Sequence, residues 1–188
     1  MARARSPEKR NAILQAAVHE IAEAGLSAPT AKIAKRAGVA EGTLFTYFAN
    51  KEELLNELYL ELKTEVYRRL NADFPHKAGL ERRTWHIWSS FIDWAIEFPE
   101  KRKVSVQLNL SDVITPETRA RTAEERQLID TTLAELGSSS ALRDLPAGFA
   151  GTTMAAMQEA TMDFILRQPK QRKKLIEQAF QVFWRAVW

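Results

Sequence analysis

The segment TAKIAKRAGVAEGTLFTYFANKEELL, residues 30–55, sets two short helices around a glycine turn and runs into a third, capped helix. Thr30 is a good N-cap: its hydroxyl can accept a bond from an orphaned first-turn amide, so a helix is expected to begin there. Ile33, Ala34 and Ala37 recur at helical spacing and form one narrow apolar stripe that should pack inward. Gly38 follows where the chain leaves the helix through the left-handed region, a conformation that costs glycine little. Val39 can plug the angle between the helices, and residues 41–48 read as the second, with Leu44 and Phe48 on its inner side. Its outer side carries Gly42, Thr43, Thr46 and Tyr47, small or hydroxyl-bearing groups that let a helix enter a groove and bond phosphates or base edges. Asn50 with Glu53 forms an asparagine version of the capping box, which starts a further helix at Lys51. Lys51 then stands beside free amides, and both favour a phosphate. The pattern is a helix-turn-helix, and DNA is its expected partner.

The AGVAEGTLFTYFANKEEL run, with the long helix that precedes it, resembles the N-terminal DNA-binding domain of the TetR family of one-component transcriptional regulators. In that family a serine or threonine commonly precedes the recognition helix; Ala40 stands there in this chain, which removes a helix cap. The resemblance implies a regulator of double-stranded operator DNA that answers to a small-molecule effector. It also implies a fourth helix linking ligand pocket to recognition helix, and a homodimer in which the last two helices pair with their symmetry mates.

Charge is spread unevenly over a chain whose formal net charge is +3. Residues 1–51 hold eight basic side chains against four acidic ones, net +4, and the remainder is net −1. A basic head on a near-neutral body is the footprint of a protein that touches nucleic acid at one end. Lys35 or Arg36 taken singly reads equally well as part of a solvated helix face. There is no cysteine, so neither a disulfide framework nor a thiolate metal site is available, and His19, His76 and His86 lack the i, i+4 pairing of a helical metal site. With no nucleophile, base and orienting group to assemble, neither an enzyme nor a cofactor is expected. No apolar run approaches the roughly 20 residues that span a bilayer, and MARARSPEKR leads into an amphipathic helix rather than a signal sequence. A cytoplasmic protein with no membrane partner is expected.

All seven prolines fall where a helix should start or stop. Ser6 and Pro7 are the N-cap and first residue of a helix with Ile13, Leu14, Ala17, Val18, Ile21 and Ala24 on one face and Gly25 at its end. Arg3 and Arg5 precede it as an arm able to meet phosphates. A helix from Lys51 to about Asn71 carries Leu54, Leu55, Leu58, Leu62 and Val66 at three-to-four spacing. Further helices fit approximately 79–98, 100–110, 116–136, 146–168 and 170–187, with residues 137–140 the most flexible connection. The expected fold is all-α: an N-terminal three-helix helix-turn-helix domain, 1–50, joined by the fourth helix to a helical ligand-binding and dimerisation domain, 51–188.

Trp85, Trp88, Phe91, Trp94 and Phe98 crowd one of these helices. Large aromatics mostly fill core, but beside Met154, Met157 and Met162 they also suit an adaptable site for flat or greasy ligands. Tyr59 with Lys63 would favour an anion, and Asp163 with Phe164 a cation. Tyr59, Lys63, Trp88, Phe91, Asp163 and Phe164 are therefore the candidate ligand-binding residues, and the pattern is similar to multidrug-sensing family members that repress efflux-related genes. Candidates for the dimer interface are Phe180, Phe183, Trp184 and Val187, with Gly148 and Gly151 allowing close approach. One recognition helix contacts too few bases for specificity, whereas a twofold dimer reads a palindrome. The basic run Lys170, Arg172, Lys173, Lys174 reads as a solvated helix start. The expected function is a homodimeric, effector-released repressor, in which Thr30 and Lys51 fix phosphates while Thr43, Thr46 and Tyr47 face the major groove. Its rivals are a helical ligand-binding or interaction module without specific DNA binding and an activator of the same fold.

Overall fold

The computed structural model describes residues 6–138 and 140–188, which form helices and turns with no strand among them. The α-helices are α1 Pro7–Ala24, α2 Thr30–Arg36, α3 Glu41–Tyr47, α4 Lys51–Asn71, α5 Leu80–Glu97, α6 Pro99–Asn109, α7 Pro116–Ala120, α8 Ala123–Ser138, α9 Phe149–Arg167 and α10 Arg172–Val187. The fold is all-α, with an amino-terminal helix-turn-helix and a helical carboxy-terminal part. The first helix starts and stops as its sequence dictates. The Ser6 hydroxyl accepts from the Lys9 amide at 3.3 Å, Pro7 follows, and Gly25 ends the helix at φ +75°.

Two boundaries differ from expectation. The stretch 116–136 is two helices, because Thr115 caps α7 and the buried Thr122 hydroxyl donates to the Arg119 carbonyl at 3.1 Å, closing the chain into a turn. The helix expected from 146 begins at Phe149, because Gly148 holds a left-handed conformation at φ +87° and Pro146 sits in the turn before it. Of the connection expected at 137–140, Ser138 still belongs to α8, and residue 139 lies outside the described residues.

Contacts gather into two compact units. One holds the described residues up to Glu65 together with Phe98–Ala123; the other holds Val66–Glu97 with Glu124–Trp188. They differ from a functional division at residue 50, since α4 as far as Glu65, with α6 and α7, belongs with the helix-turn-helix. The first unit is built on Ile13, Leu14, Ala17 and Ile21 of α1, Ile33 of α2, Leu44 of α3, Leu54 and Leu58 of α4, and Val104 and Leu108 of α6, all buried. Asn56 clamps α4 to the chain after α6, donating to the Val113 carbonyl at 2.8 Å and accepting from the Thr115 amide at 3.1 Å.

The second unit centres on Trp88, which is 0% exposed. Its ring stacks on Phe183 with centroids 5.6 Å apart, and its Nε1 donates to the Ile176 carbonyl at 3.2 Å. The buried Gln158 amide donates to the Trp88 carbonyl at 3.2 Å, so α5 is bonded to both α9 and α10. Met154, Met162, Ile165, Phe180 and Val187 close this core.

Candidate nucleic-acid interface

The turn between α2 and α3 follows from Gly38. Its φ is +69°, its amide donates to the Lys35 carbonyl at 3.2 Å, and the Val39 amide reaches back to Ala34 at 3.0 Å. This paired closure of a helix end satisfies two carbonyls and sends the chain sharply into α3. Leu44 and Phe48, 0% and 1% exposed, fix α3 to the core by its inner face.

Thr30 does not cap α2. It is the first helical residue, Pro29 is the cap position, and the Thr30 hydroxyl donates to Glu41 Oε1 at 2.6 Å. The hydroxyl therefore ties the start of α2 to the start of α3, whose cap residue Ala40 makes no side-chain bond. The outward surface of α3 consists of Glu41, Gly42, Phe45 and Thr46, with Thr43 and Tyr47 half-buried beside it. A Cβ built on Gly42 meets nothing within 4 Å, so packing does not require glycine there. Phe45 is 41% exposed, and sequence reasoning missed it. The signal was present: Gly42, Phe45 and Thr46 stand at helical i, i+3, i+4 spacing, one continuous face.

Tyr47 has a second duty. Its hydroxyl accepts from the Ser6 amide at 3.0 Å, so this recognition-helix residue also holds the start of α1. The arm residues Arg3 and Arg5 lie outside the described residues. At the start of α4 Asn50 caps as expected, the Glu53 amide donating to its Oδ1 at 2.7 Å, whereas the Glu53 carboxylate reaches one residue further back than a capping box does, its Oε2 accepting from the Ala49 amide at 2.6 Å. Lys51 follows directly, half-buried, and burial pushes its ammonium below the usual lysine range. An anion at this helix start would meet a partly dehydrated cation and free amides together.

Cations of the head divide into two sets. Arg36 pairs with Glu20 at 2.6 Å and Arg10 with Glu57 at 2.6 Å, both tying helices together. Arg36's bond holds the Glu20 carboxyl below the usual carboxylate range. Lys9, Lys32, Lys35 and Lys51 have no ion-pair partner among the described residues, and the first three are exposed. Their charge is available to a polyanion.

The six candidate ligand residues fall otherwise than expected. Tyr59 is buried in the first unit, its ring flanked by Lys63 at 5.3 Å and Arg119 at 5.5 Å. In the second unit Trp88 is core, Phe91 packs on Trp94 at 5.9 Å, and Asp163 and Phe164 lie on the exposed side of α9, with Arg167 over the Phe164 ring at 5.6 Å. Trp88 has no surface to offer a ligand. The dimer candidates need a similar correction, because Phe180, Phe183 and Val187 are 2%, 0% and 1% exposed within the chain's own core. Helix α10 is amphipathic, and its apolar stripe packs within the chain, Phe180 and Phe183 meeting Trp85 and Trp88 of α5. Trp184 is half-buried, stacked on Phe180 and Trp188. Gly151 comes within 3.2 Å of Leu133 when given a Cβ, so its close approach is to α8; Gly148 serves the turn before α9. The outward faces of α9 and α10 instead carry Ala155, Ala156, Phe164 and Val182.

No helix among the described residues is long and apolar enough to cross a membrane, and none of their His, Asp and Glu side chains cluster as a metal site.

Residues 13–58 match the family model described as bacterial regulatory proteins, tetR family. Over 72 residues, 38% of this chain, it is 45% identical to the fatty acid metabolism regulator protein of Bacillus subtilis. Over 108 residues, 55% of the chain, it is 37% identical to the HTH-type transcriptional regulator YhgD of the same organism. These matches span 37% and 52% of the relatives' lengths. The crystal structure of a TetR family transcription regulator from Marinobacter aquaeolei VT8 superposes with a TM-score of 0.82 at 28% identity, covering 96% of this chain and 95% of that one.

Proposed function

We propose that this chain, a transcriptional regulator of the TetR family, is a homodimeric repressor that binds a palindromic operator and is released by a small hydrophobic or aromatic effector. One observation carries the DNA-binding part: the sharp Gly38 turn presents the unobstructed Gly42, Phe45 and Thr46 face on a helix locked from behind by Leu44 and Phe48. Thr43 and Tyr47 flank that face, and Lys51 meets a phosphate at the α4 start. Thr30 reaches a phosphate only by giving up its bond to Glu41.

Dimerisation follows from the small contact area of one seven-residue recognition helix. Two such helices, roughly 34 to 36 Å apart or a multiple of that, read two half-sites. Their partner surface is drawn from the exposed part of α9 and α10 that internal packing leaves uncovered, where Ala156 and Phe164 lie on α9 and Val182 on α10. An effector releases DNA only by binding the non-operator conformation more tightly than the operator-bound one. Control of efflux-related genes and control of fatty acid metabolism, the role in the name of the Bacillus relative, both suit such a regulator.

Sedimentation of the protein with DNA flanking its own gene tests this reading. Two copies per bound site are expected; saturation at one copy contradicts the palindromic dimer.

A further inference from the structure

Within the second unit a cavity of about 700 Å³ lies between the start of α5 and α10, lined by Glu81, Arg82, Trp85, Glu177, Phe180 and Gln181. Two adjoining hollows of about 430 and 290 Å³ also have Trp85 in their walls, so one half-buried indole is the shared floor of a branched groove. The main hollow falls within the roughly 300–1,000 Å³ of small-molecule sites. Trp85 meets Phe180 edge to face at 5.0 Å, which holds the indole in place.

We infer that this groove is a binding site for an aromatic organic cation. Rings supply part of the argument, since the half-buried Trp85 indole, backed by the buried Phe180, attracts both flat apolar groups and positive charge. Charge supplies the rest. Glu81 and Glu177 stand in the same cavity and neither has an ion-pair partner among the described residues, so both carboxylates are free to meet a ligand. Arg82 is the single cation facing them in that hollow. In the adjoining hollow Arg172 is neutralised by Asp93 at 2.6 Å, which leaves Lys173 there. Counted over all three hollows, Asp73, Glu81, Asp93 and Glu177 outnumber Arg82, Arg172 and Lys173. Trp88, Asp163 and Phe164 are not among the residues that line it, and it stands whether or not the helix-turn-helix binds an operator.

Tetraphenylphosphonium and tetraphenylborate, nearly identical in size and opposite in charge, test it by titration calorimetry on the full chain without DNA. The phosphonium is expected to bind about tenfold or more tighter than the borate, as a carboxylate-flanked aromatic site requires. Replacing Glu81→Gln and Glu177→Gln together should weaken the phosphonium about tenfold and leave the borate unweakened, while Trp85→Leu weakens the phosphonium. Glu81 and Glu177 are exposed, so their replacement spares the fold, and circular dichroism checks each variant. Equal affinity for the two ions, or phosphonium binding unchanged in the glutamine variant, overturns the inference. Operator binding is measured separately, so failure here leaves the repressor reading standing.

Discussion

Glycine at position 42 separates folding from DNA binding, because the two should respond to one substitution with opposite signs. Gly42 is the second residue of α3, and a Cβ there meets nothing within 4 Å. Its backbone is not in the positive-φ region that favours glycine. Alanine should therefore stabilise the chain, by about 0.5–1 kcal/mol if the position behaves as a helix interior and by less so near the helix start. For a chain of this size that is a rise of about 1–3 °C in melting temperature. A methyl on the exposed face displaces the helix from a groove wall, and a leucine displaces it further. Gly42→Ala should weaken operator binding several-fold and Gly42→Leu about a hundredfold or more, with both variants folded as judged by circular dichroism. Melting curves and fluorescence anisotropy on the same samples read both effects. Operator affinity unchanged in Gly42→Leu would refute the assignment of this face to the groove. A lowered melting temperature in Gly42→Ala would refute the packing argument.

Phe45→Ala should remove about 1 kcal/mol of operator binding per recognition helix, the value of burying the exposed part of one ring. The loss should be smaller on an operator with uracil in place of thymine, which lacks the methyl group a ring would contact; equal losses on both DNAs would contradict that contact. Trp88→Ala should cost about 3–5 kcal/mol and lower the melting temperature by about 10 °C, because it empties the centre of the second unit; a shift under 3 °C in that melting curve would contradict the core assignment. Glu20→Gln addresses pH. Arg36 holds the folded-state carboxyl below its unfolded value, so the stability it contributes is present above the unfolded value and lost as pH falls through the folded one. The melting-temperature gap between wild type and Glu20→Gln should be constant near neutrality and shrink below the ordinary carboxylate range; a gap that persists into acid would contradict the linkage.

Much of the head was legible because its signals are local. The Ser6 hydroxyl, Gly25, Gly38 and Asn50 act through bonds to residues within five positions, and each does in the structure what its type and spacing imply, as Pro7 does at the first position of α1. The all-α reading had the same basis. Errors arose where a long-range partner decided a side chain's role. Thr30 has the chemistry of a cap, but Glu41 lies eleven residues on and takes its hydroxyl. Tyr47 looked purely outward, yet it accepts from Ser6 across 41 positions. In the body, spacing identified the apolar stripe of α10 but not which surface would cover it. Phe180 and Phe183 face Trp85 and Trp88 of the same chain rather than a partner. The same degeneracy hid the ligand candidates: Trp85, Trp88, Phe91 and Trp94 share a period on α5, Phe98 falling outside it at the start of α6, and only tertiary packing makes Trp88 a core residue and Trp85 the wall of a groove. Phe45 is different, since its position between Gly42 and Thr46 on the outward face follows from spacing alone.

The most direct test of the central claim is fluorescence anisotropy of the purified chain on DNA flanking its own gene, across a salt series, with unrelated DNA as competitor. Specific binding should saturate, resist the competitor, and weaken steeply with salt, as neutralisation of several phosphates by Lys32, Lys35, Lys51 and their symmetry mates requires. Weak binding that is equal on both DNAs would contradict the account and leave a helical ligand-binding module in its place.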